Sequence, residues 1–390
     1  MITTISNNFK FQSIIAFFSK RYMLLLLTAI AIAVVVVQKI TLHSANNFFI
    51  FKASLGHLLV HKNLYLYYPN EYEDLFLYNP TFVVLFAPFA LLPSKIGMVA
   101  WLTTVGLGYY FAFTQLTLFK HKGVAVFLFC FIEMITTLQG LQLNALNAVL
   151  MLLAYQYMKD QKPYLAGFIT AFVFFVKIYP AAIGIVLLLL PQRNKYLLSC
   201  VVSSILFAAL PLVFISFEDL VVVYQQWFAV LTHDTGADNA SQGISLVAIL
   251  YKWFNNSPPI SPAILQLMGL AITLLPLIKI KQWASTQFQL LLLASVMMLV
   301  IVFNHAAESP TYIIAVMGVC VWYCTVEATI VNKLLMLLVF LFCILLPTDV
   351  YPKAWRVAYF VPYSIKTLPV VLVWLKLQID IFSLKSSNVN

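Results

Sequence analysis

Long runs of apolar residues recur from one end of the chain to the other, and they constrain the fold more than any other feature. The runs cover 22–42, 80–93, 97–119, 124–140, 143–158, 164–190, 196–215, 263–280, 288–303, 311–326, 334–347 and 359–375. Since backbone polar groups inside a bilayer must be paired within helices or closed barrels, runs of this length indicate helices. Roughly 20 apolar residues span a bilayer, and shorter helices cross where it thins. The sequence therefore predicts an all-α polytopic membrane protein with about twelve transmembrane helices.

The composition excludes a soluble protein. The chain is 63% hydrophobic and 9% charged, whereas soluble domains carry about 25% charged residues. Disordered chains are polar and poor in aromatic residues, so disorder is excluded too. The net charge of +10 comes from basic residues in short turns between apolar runs. Such residues orient a chain in a membrane, so the charge does not indicate a nucleic-acid partner.

The basic turns predict one transmembrane domain, 1–390, with both termini in the cytoplasm. The predicted cytoplasmic ends are 1–21 and 376–390, and the predicted external loops are 43–79 and 216–243, each with an interfacial helix. The first half leaves two alternatives. If every run crosses, the basic turns 120–122 and 159–162 fall outside, against the usual tendency. Either one run is re-entrant, or these turns are exceptions.

Ionisable residues within or beside the apolar runs are the candidates for chemistry, because such groups are costly at membrane depth. Lys177 lies midway along the run 164–190, three residues before Pro180, which should bend the helix. It either faces a polar cavity or reaches out to the interface. His305 and Glu308 are three residues apart at the end of another run, so they share a face if the helix continues. The alternative is a helix end satisfied by water.

Several short motifs carry a family resemblance. They are Leu64-Tyr65, Tyr78-Asn79-Pro80 opening a helix with Pro88 and Leu92-Pro93, Gln142-Leu143-Asn144, and Lys177-Ile178-Tyr179-Pro180. In order and spacing the chain, from about Asn46 to about Tyr323, resembles glycosyltransferase family 87. These are polyprenyl-phosphate-mannose-dependent mannosyltransferases of the C-type (GT-C) membrane fold.

The resemblance implies an activity. A hexose, mannose first, would pass from a polyprenyl phosphate to an acceptor hydroxyl on a lipid or glycan, with inversion. It implies no nucleotide, metal or other cofactor. The implied partners are the lipid-linked sugar, the acceptor and membrane lipids. The implied location is a bacterial inner (plasma) membrane, with the active site facing outward.

This chemistry requires a carboxylate to accept the acceptor proton. The family usually has an Asp at the start of the first external loop, but the matching stretch here is Asn46-Asn47-Phe48. Either an asparagine only binds substrate, or the base has moved, or activity is lost. Among the acids later in that loop we predict Asp74 as the base, with Glu308 as its rival. The alternative for the loop acids is simple solvation.

The remaining site predictions follow the same resemblance. The donor phosphate would be bound by Lys177 and His305, with Arg356 in the last external loop as an alternative. Substrate would be bound by Asn46, Asn47, Tyr78, Gln142 and Asn144. For Gln142 and Asn144, hydrogen bonding between helices is the competing explanation.

Two other classes of function stay open. A transporter or lipid flippase should show paired broken helices and an internal repeat, and neither is evident in the sequence. A catalytically degenerate family member, acting as a partner or scaffold, is suggested by the asparagines in place of the usual Asp.

Overall fold

The computed structural model describes residues 21–233 and 243–384, which are helical with no strand. The all-helical prediction is confirmed. Residues 1–20 of the predicted cytoplasmic stretch 1–21, residues 234–242 of the predicted loop 216–243 and residues 385–390 of the predicted tail lie outside the described part. The helices are α1 Arg21–Thr41, α2 Asn46–Leu59, α3 Pro80–Ala90, α4 Ser94–Thr114, α5 Gly123–Gln139, α6 Asn144–Lys159, α7 Pro163–Val176, α8 Gly184–Leu187, α9 Arg193–Ala209, α10 Phe217–His233, α11 Leu246–Trp253, α12 Pro262–Leu274, α13 Thr286–Val302, α14 Tyr312–Thr325, α15 Ile330–Val339, α16 Lys353–Trp355 and α17 Leu368–Ser383.

In the described part of the chain, four helical stretches are long and apolar enough to cross a membrane. They are Arg21–Thr41, Ser94–Thr114, Lys120–Gln139 and Arg193–Val213. Further apolar helices of 10–17 residues are present, among them α7, α13 and α15 with its π-helical end. The chain therefore has the character of a polytopic membrane protein, and the number of twelve crossings stays a prediction.

The helix bundle has two different ends. At one of them, here called the basic end, Arg21 at the start of α1 donates to the Thr114 carbonyl at the end of α4. Lys159 at the end of α6 contacts Thr286 at the start of α13. Lys279 donates to carbonyls at the end of α17. The opposite end contains a polar cavity and is called the cavity end.

The short helix α3 accounts for the ambiguous topology of the first half. It has only 11 residues, or about 16 Å at 1.5 Å per residue. Lys52 of α2 donates to the Ala90 and Leu92 carbonyls at its end, at 2.6 Å each, so α3 stays beside α2. Trp101, near the start of α4, donates to the Leu141 carbonyl at the cavity end. Consequently α4 runs from the cavity end to the basic end, where the turns 120–122 and 159–162 follow.

The apolar run 164–190 is not one helix. α7 ends at Val176, Lys177 is extended (φ −147°, ψ 134°), and a 3-10 turn covers Tyr179–Ile183. Pro180 explains the break, because in a continuous α-helix its ring would clash with the carbonyl four residues back, that of Val176. The expectation of a bend was wrong: the helix terminates. The chain then returns to the basic end before α9 begins.

Helices α7 and α9 pack in parallel. Gly167 lies against Ser199, where an added Cβ would come within 2.6 Å. Farther along both helices, Phe175 contacts the Phe207 ring at 5.7 Å between centroids. Parallel neighbours need a return connection, and residues 177–192 provide it.

The last helix extends beyond the predicted boundary of the cytoplasmic tail. It continues to Ser383, past position 376. Lys376 and Asp380 form an ion pair one turn apart, and Asp380 also accepts the indole N–H of Trp322 at 2.8 Å. Charged residues in this part of the chain are therefore compatible with helix, and the cytoplasmic location of the stretch from 376 onward stays a prediction.

Candidate functional site

A cavity of about 250 Å³ opens at the cavity end of the bundle. Its walls come from α2, the loop before α3, the loop before α6, the break after α7, helix α10 and the segment after α13. Ligand sites are concave, mostly apolar and contain a few convergent polar groups. The cavity has this character, and its lining includes seven of the predicted site residues: Asn47, Asp74, Tyr78, Gln142, Lys177, His305 and Glu308.

Gln142 is the centre of a hydrogen-bond chain in the cavity wall. Its Nε2 donates to Glu308 Oε2 at 2.8 Å, and its Oε1 accepts from Lys177 Nζ at 3.0 Å. Behind it, Asn144 donates to the same Oε1 at 2.6 Å and accepts from the Tyr179 hydroxyl at 3.2 Å. The buried amide of Gln142 thus joins a carboxylate to a lysine, and Asn144 supports it without lining the cavity.

Lys177 presents its charge to the cavity. Because α7 stops at Val176, the lysine leaves the helix axis in an extended conformation. Its ammonium lies 5.4 Å from the Tyr78 ring centroid and 5.9 Å from that of Tyr179, and cations are stabilised over aromatic faces at such distances. None of the ion pairs found between described residues involves Lys177. It can therefore bind an anion.

The first loop brings Asp74 to the cavity in a constrained conformation. Asp74 has φ 81°, in the left-handed region that a non-glycine residue rarely adopts. Its Oδ1 accepts the backbone N–H of Leu75 at 2.8 Å. Asn46 holds the preceding residue: its Nδ2 donates to the Glu73 carbonyl, and its Oδ1 accepts from the Glu73 N–H at 2.9 Å. Asn46 therefore shapes the loop and does not line the cavity.

Asn47 faces the cavity at the position where the family usually has an Asp. Its Nδ2 donates to the Gly140 carbonyl at 2.8 Å. An aspartate could not donate this hydrogen bond. The asparagine therefore has a structural partner in addition to its place in the lining.

His305 and Glu308 both line the cavity, but not through a shared helical face. α13 ends at Val302, and residues 303–308 form turns and irregular chain, so the condition for a shared face, a helix that continues past Val302, is not met. Gln266 of α12 lies 3.5 Å from His305 Nδ1. The Glu308 carbonyl accepts from the Thr311 hydroxyl at 2.7 Å, which starts the next helical turn.

Tyr78 forms the aromatic floor of the cavity just before α3. Its ring stacks on Phe82 at 4.4 Å between centroids. Burial, and secondarily the negative charge of Glu308, raise the pKa of Tyr78 well above its ordinary value. The hydroxyl is buried, and no described residue forms a hydrogen bond with it. It is therefore a neutral group available to a bound hydroxyl or water.

Arg356, the alternative predicted contact for the donor phosphate, lies away from the cavity. Its guanidinium pairs with Asp349 at 2.6 Å and donates to the Pro347 carbonyl at 3.0 Å. It does not line the cavity. The arginine instead stabilises the loop before α16.

Sequence reasoning missed several lining residues, of which Trp227 and Tyr179 are the most informative. Trp227 of α10 is 3% exposed, and its buried indole N–H has no hydrogen-bond partner within residues 21–233 and 243–384. In the sequence it is indistinguishable from the tryptophans that anchor interfacial helices. Tyr179 belongs to the motif Lys177-Ile178-Tyr179-Pro180, in which only the lysine carries a charge that marks a site in the sequence.

The chain matches one family in comparisons with known proteins. No curated protein matches it. The model of glycosyltransferase family 87 matches residues 76–303, more than half of the chain. This range contains Tyr78, Gln142 and Lys177, while Asp74 and Glu308 lie just beyond its two ends. The chain belongs to glycosyltransferase family 87.

Proposed function

We propose that this glycosyltransferase moves a hexose, mannose first, from a polyprenyl phosphate to a hydroxyl of a lipid or glycan acceptor, with inversion. One observation carries the proposal: Lys177, which forms no direct ion pair among the described residues, shares a cavity with the carboxylates Asp74 and Glu308. A cation for the leaving phosphate and a carboxylate for the acceptor proton are what this transfer needs.

The proposed location is the outer face of a bacterial inner membrane, in a GT-C fold of about twelve crossings. The support is the distribution of charge. The basic turns 120–122 and 159–162 lie at the end opposite the cavity, as Lys279 does. Basic turns remain in the cytoplasm as a rule, so the cavity would face outward.

In the proposed reaction, Lys177 and His305 bind the donor phosphate. The acceptor oxygen attacks the anomeric carbon of the sugar. The bond between that carbon and the phosphate oxygen breaks, and polyprenyl phosphate leaves with the electron pair. The acceptor proton passes to the carboxylate. The charge that develops on the phosphate is stabilised by the ammonium of Lys177.

Asp74 is our choice for the base, with Glu308 as the rival. Inversion requires the acceptor to approach on the face of the sugar opposite the leaving phosphate. Glu308 is joined through Gln142 to Lys177, and hence to the phosphate subsite. Asp74 comes from a different wall and has no hydrogen bond to that chain. This separation favours Asp74 for the proton and Glu308 for alignment of Gln142.

The cavity wall also supports a lipid-linked substrate. Phe174, Val176 and Leu231 form an apolar part of the lining, suited to the isoprenoid next to the phosphate. Asn47, Tyr78 and Gln142 offer polar groups for sugar hydroxyls. Asn46 and Asn144 act behind them, as supports of Asp74 and Gln142.

The test is transfer by the purified protein in proteoliposomes, with polyprenyl-phosphate mannose and other polyprenyl-phosphate hexoses as donors. We expect Asp74→Asn to lower the rate by about 10²–10⁴, the usual contribution of a general base. Glu73→Gln is the matched control, because Asn46 binds only the Glu73 backbone, and it should retain the wild-type rate. If Asp74→Asn retains full activity while Glu308→Gln loses it, the base is Glu308.

A catalytically degenerate member is the second candidate, favoured by Asn47 in place of the usual Asp. It predicts binding of the lipid-linked donor without transfer of any sugar. Absence of transfer from every donor, together with saturable binding of polyprenyl phosphate, would replace the enzyme proposal by this one. Loss of donor binding in Lys177→Met would then still locate the site.

A further inference from the structure

A buried ion pair lies beside the cavity without lining it. Glu133 of α5 and Lys366, in the turn before α17, have side chains 0% and 3% exposed. Lys366 Nζ contacts Glu133 Oε1 at 2.8 Å and Oε2 at 3.1 Å. Removing two charges from water costs several kcal/mol per ion and is recovered only with excellent geometry. A buried pair is thus weak support for stability alone, and its other contacts are informative.

The pair is attached to the segment that carries Glu308. Lys366 Nζ also contacts the Ser309 hydroxyl at 2.9 Å and the Ser309 carbonyl at 3.4 Å. An ammonium has three donors, and here they are directed at one carboxylate and one serine. Ser309 directly follows Glu308. Lys366 is therefore hydrogen-bonded to the chain segment from which the Glu308 side chain enters the cavity.

Helix α5 holds the same segment at two more points. The Thr137 hydroxyl contacts the Pro310 carbonyl at 2.9 Å. Gly140 approaches Pro310 so closely that an added Cβ would lie 2.8 Å from its Cγ. Positions 133, 137 and 140 share one face of a helix. One face of α5 and Lys366 together fix the path of the chain past the cavity.

We propose that Glu133 and Lys366 are positioning residues for the transfer reaction, acting through Ser309 on Glu308. Glu308 binds Gln142, and Gln142 binds Lys177. A shift of Ser309 would therefore misplace the group proposed to bind the donor phosphate. This inference rests on the proposed function, because it assigns the ion pair a part in the same reaction.

Ser309→Ala is the most informative variant, because it removes the hydroxyl contact and leaves the ion pair in place. We expect the transfer rate to fall by about 10-fold, since small misplacements of reacting groups cost up to about 10²-fold. Affinity for polyprenyl phosphate, which an inactive protein can also bind, should fall in parallel. Asp380→Asn is the matched control: it removes the acid of a half-buried ion pair at the basic end and should leave both quantities unchanged.

A double-mutant cycle separates positioning from general stability. In a Glu308→Ala background, which lacks the side chain that transmits the effect, Ser309→Ala should change the affinity for polyprenyl phosphate by less than about twofold. An equal loss in both backgrounds, or no loss in either, would overturn the inference. The paired change Glu133→Gln with Lys366→Met leaves no uncompensated charge, so it tests the pair in a protein that still folds. Wild-type activity in that double variant would also overturn it.

The two proposals fail in different ways. If the wild-type protein neither transfers a sugar nor binds polyprenyl phosphate, the proposed function fails and the positioning role with it. If the wild-type protein transfers sugar and Ser309→Ala does so equally well, only the positioning role fails.

Discussion

Lys177 illustrates how a single residue acquires a function from its surroundings. Its neighbours are two aromatic rings and the amide oxygen of Gln142. A neutral amide and ring faces orient an ammonium without neutralising it. The charge is thereby left for an incoming anion, whereas a carboxylate in the place of Gln142 would compete with that anion.

Two substitutions of Lys177 should distinguish the effect of its positive charge on transfer from the effect of its side-chain shape. We expect Lys177→Met to lower sugar transfer by about 10²-fold or more, because removal of one preorganised group that stabilises charge has that effect. Lys177→Arg keeps the charge and should retain more activity than Lys177→Met, although its planar group does not replicate a point charge. Rates and polyprenyl-phosphate affinities of both variants provide the comparison. Equal activity of the methionine variant and the wild type would remove Lys177 from the site.

At the scale of elements, the break after α7 builds the site. Helix α7 runs from the basic end to the cavity. Because it ends at Val176, the side chains of Lys177 and Tyr179 line the cavity wall. Helix α10 completes the wall from the other side with Trp227 and Leu231. The site is therefore assembled from the ends of helices and the connections between them.

Replacement of Pro180 tests whether the break is needed. Pro180→Ala removes the steric obstacle to helix continuation, an effect of about 3 kcal/mol in helix interiors. We expect transfer to fall while thermal stability is kept or increased, as for a strained functional element. Pro163→Ala is the matched control, since Pro163 occupies the first turn of α7, where proline is tolerated. Unchanged activity in Pro180→Ala would show that the break is not required.

The helix boundaries show how much of the fold could be predicted from hydropathy. Hydropathy located the helices, but it could not show that α3 is too short to run the length of the bundle, since its run continues through Leu92-Pro93. Hydropathy also gave a single apolar run for α7 and the segment 177–190 that follows it, because both are apolar. The chemistry of proline predicted that the helix would be interrupted near Pro180. Only the packed structure shows that the helix ends there instead of bending.

The charged residues of the site were predictable from the sequence, whereas the pairing of Glu133 with Lys366 and the role of Trp227 were not. Lys177, His305 and Glu308 stand out because ionisable groups are rare near membrane depth. Asp74 was chosen from the acids of the first external loop because the reaction needs a carboxylate, and all four residues line the cavity. Glu133 could not be paired with Lys366, because 233 positions separate them and no local pattern connects them. Trp227 was hidden by the general enrichment of tryptophan at membrane surfaces.

At the scale of the whole molecule, the separation of the cavity from the basic end predicts an orientation. We expect a cysteine introduced at Glu73 to react with a membrane-impermeant thiol reagent in intact spheroplasts. A cysteine at Asp160, next to the basic turn at the other end, should react only after the membrane is permeabilised. The reverse pattern would place the cavity in the cytoplasm.

The wild-type protein is the control for this labelling. Its cysteines lie in helical segments, with Cys130, Cys320 and Cys343 buried, so little background reaction is expected. Labelling of both introduced positions without permeabilisation would point to a leaky preparation, which a cytoplasmic marker enzyme detects.

The ion pair between Glu133 and Lys366 has a consequence for biosynthesis. During translation Glu133 is made 233 residues before its partner, so its carboxyl group stays in the translocation machinery or in the lipid without Lys366 until those 233 residues have been added. A ribosome that stops before codon 366 releases a product with an acidic group that has no counter-ion. Such truncated products should be recognised and degraded, which would keep incomplete copies of the protein from accumulating.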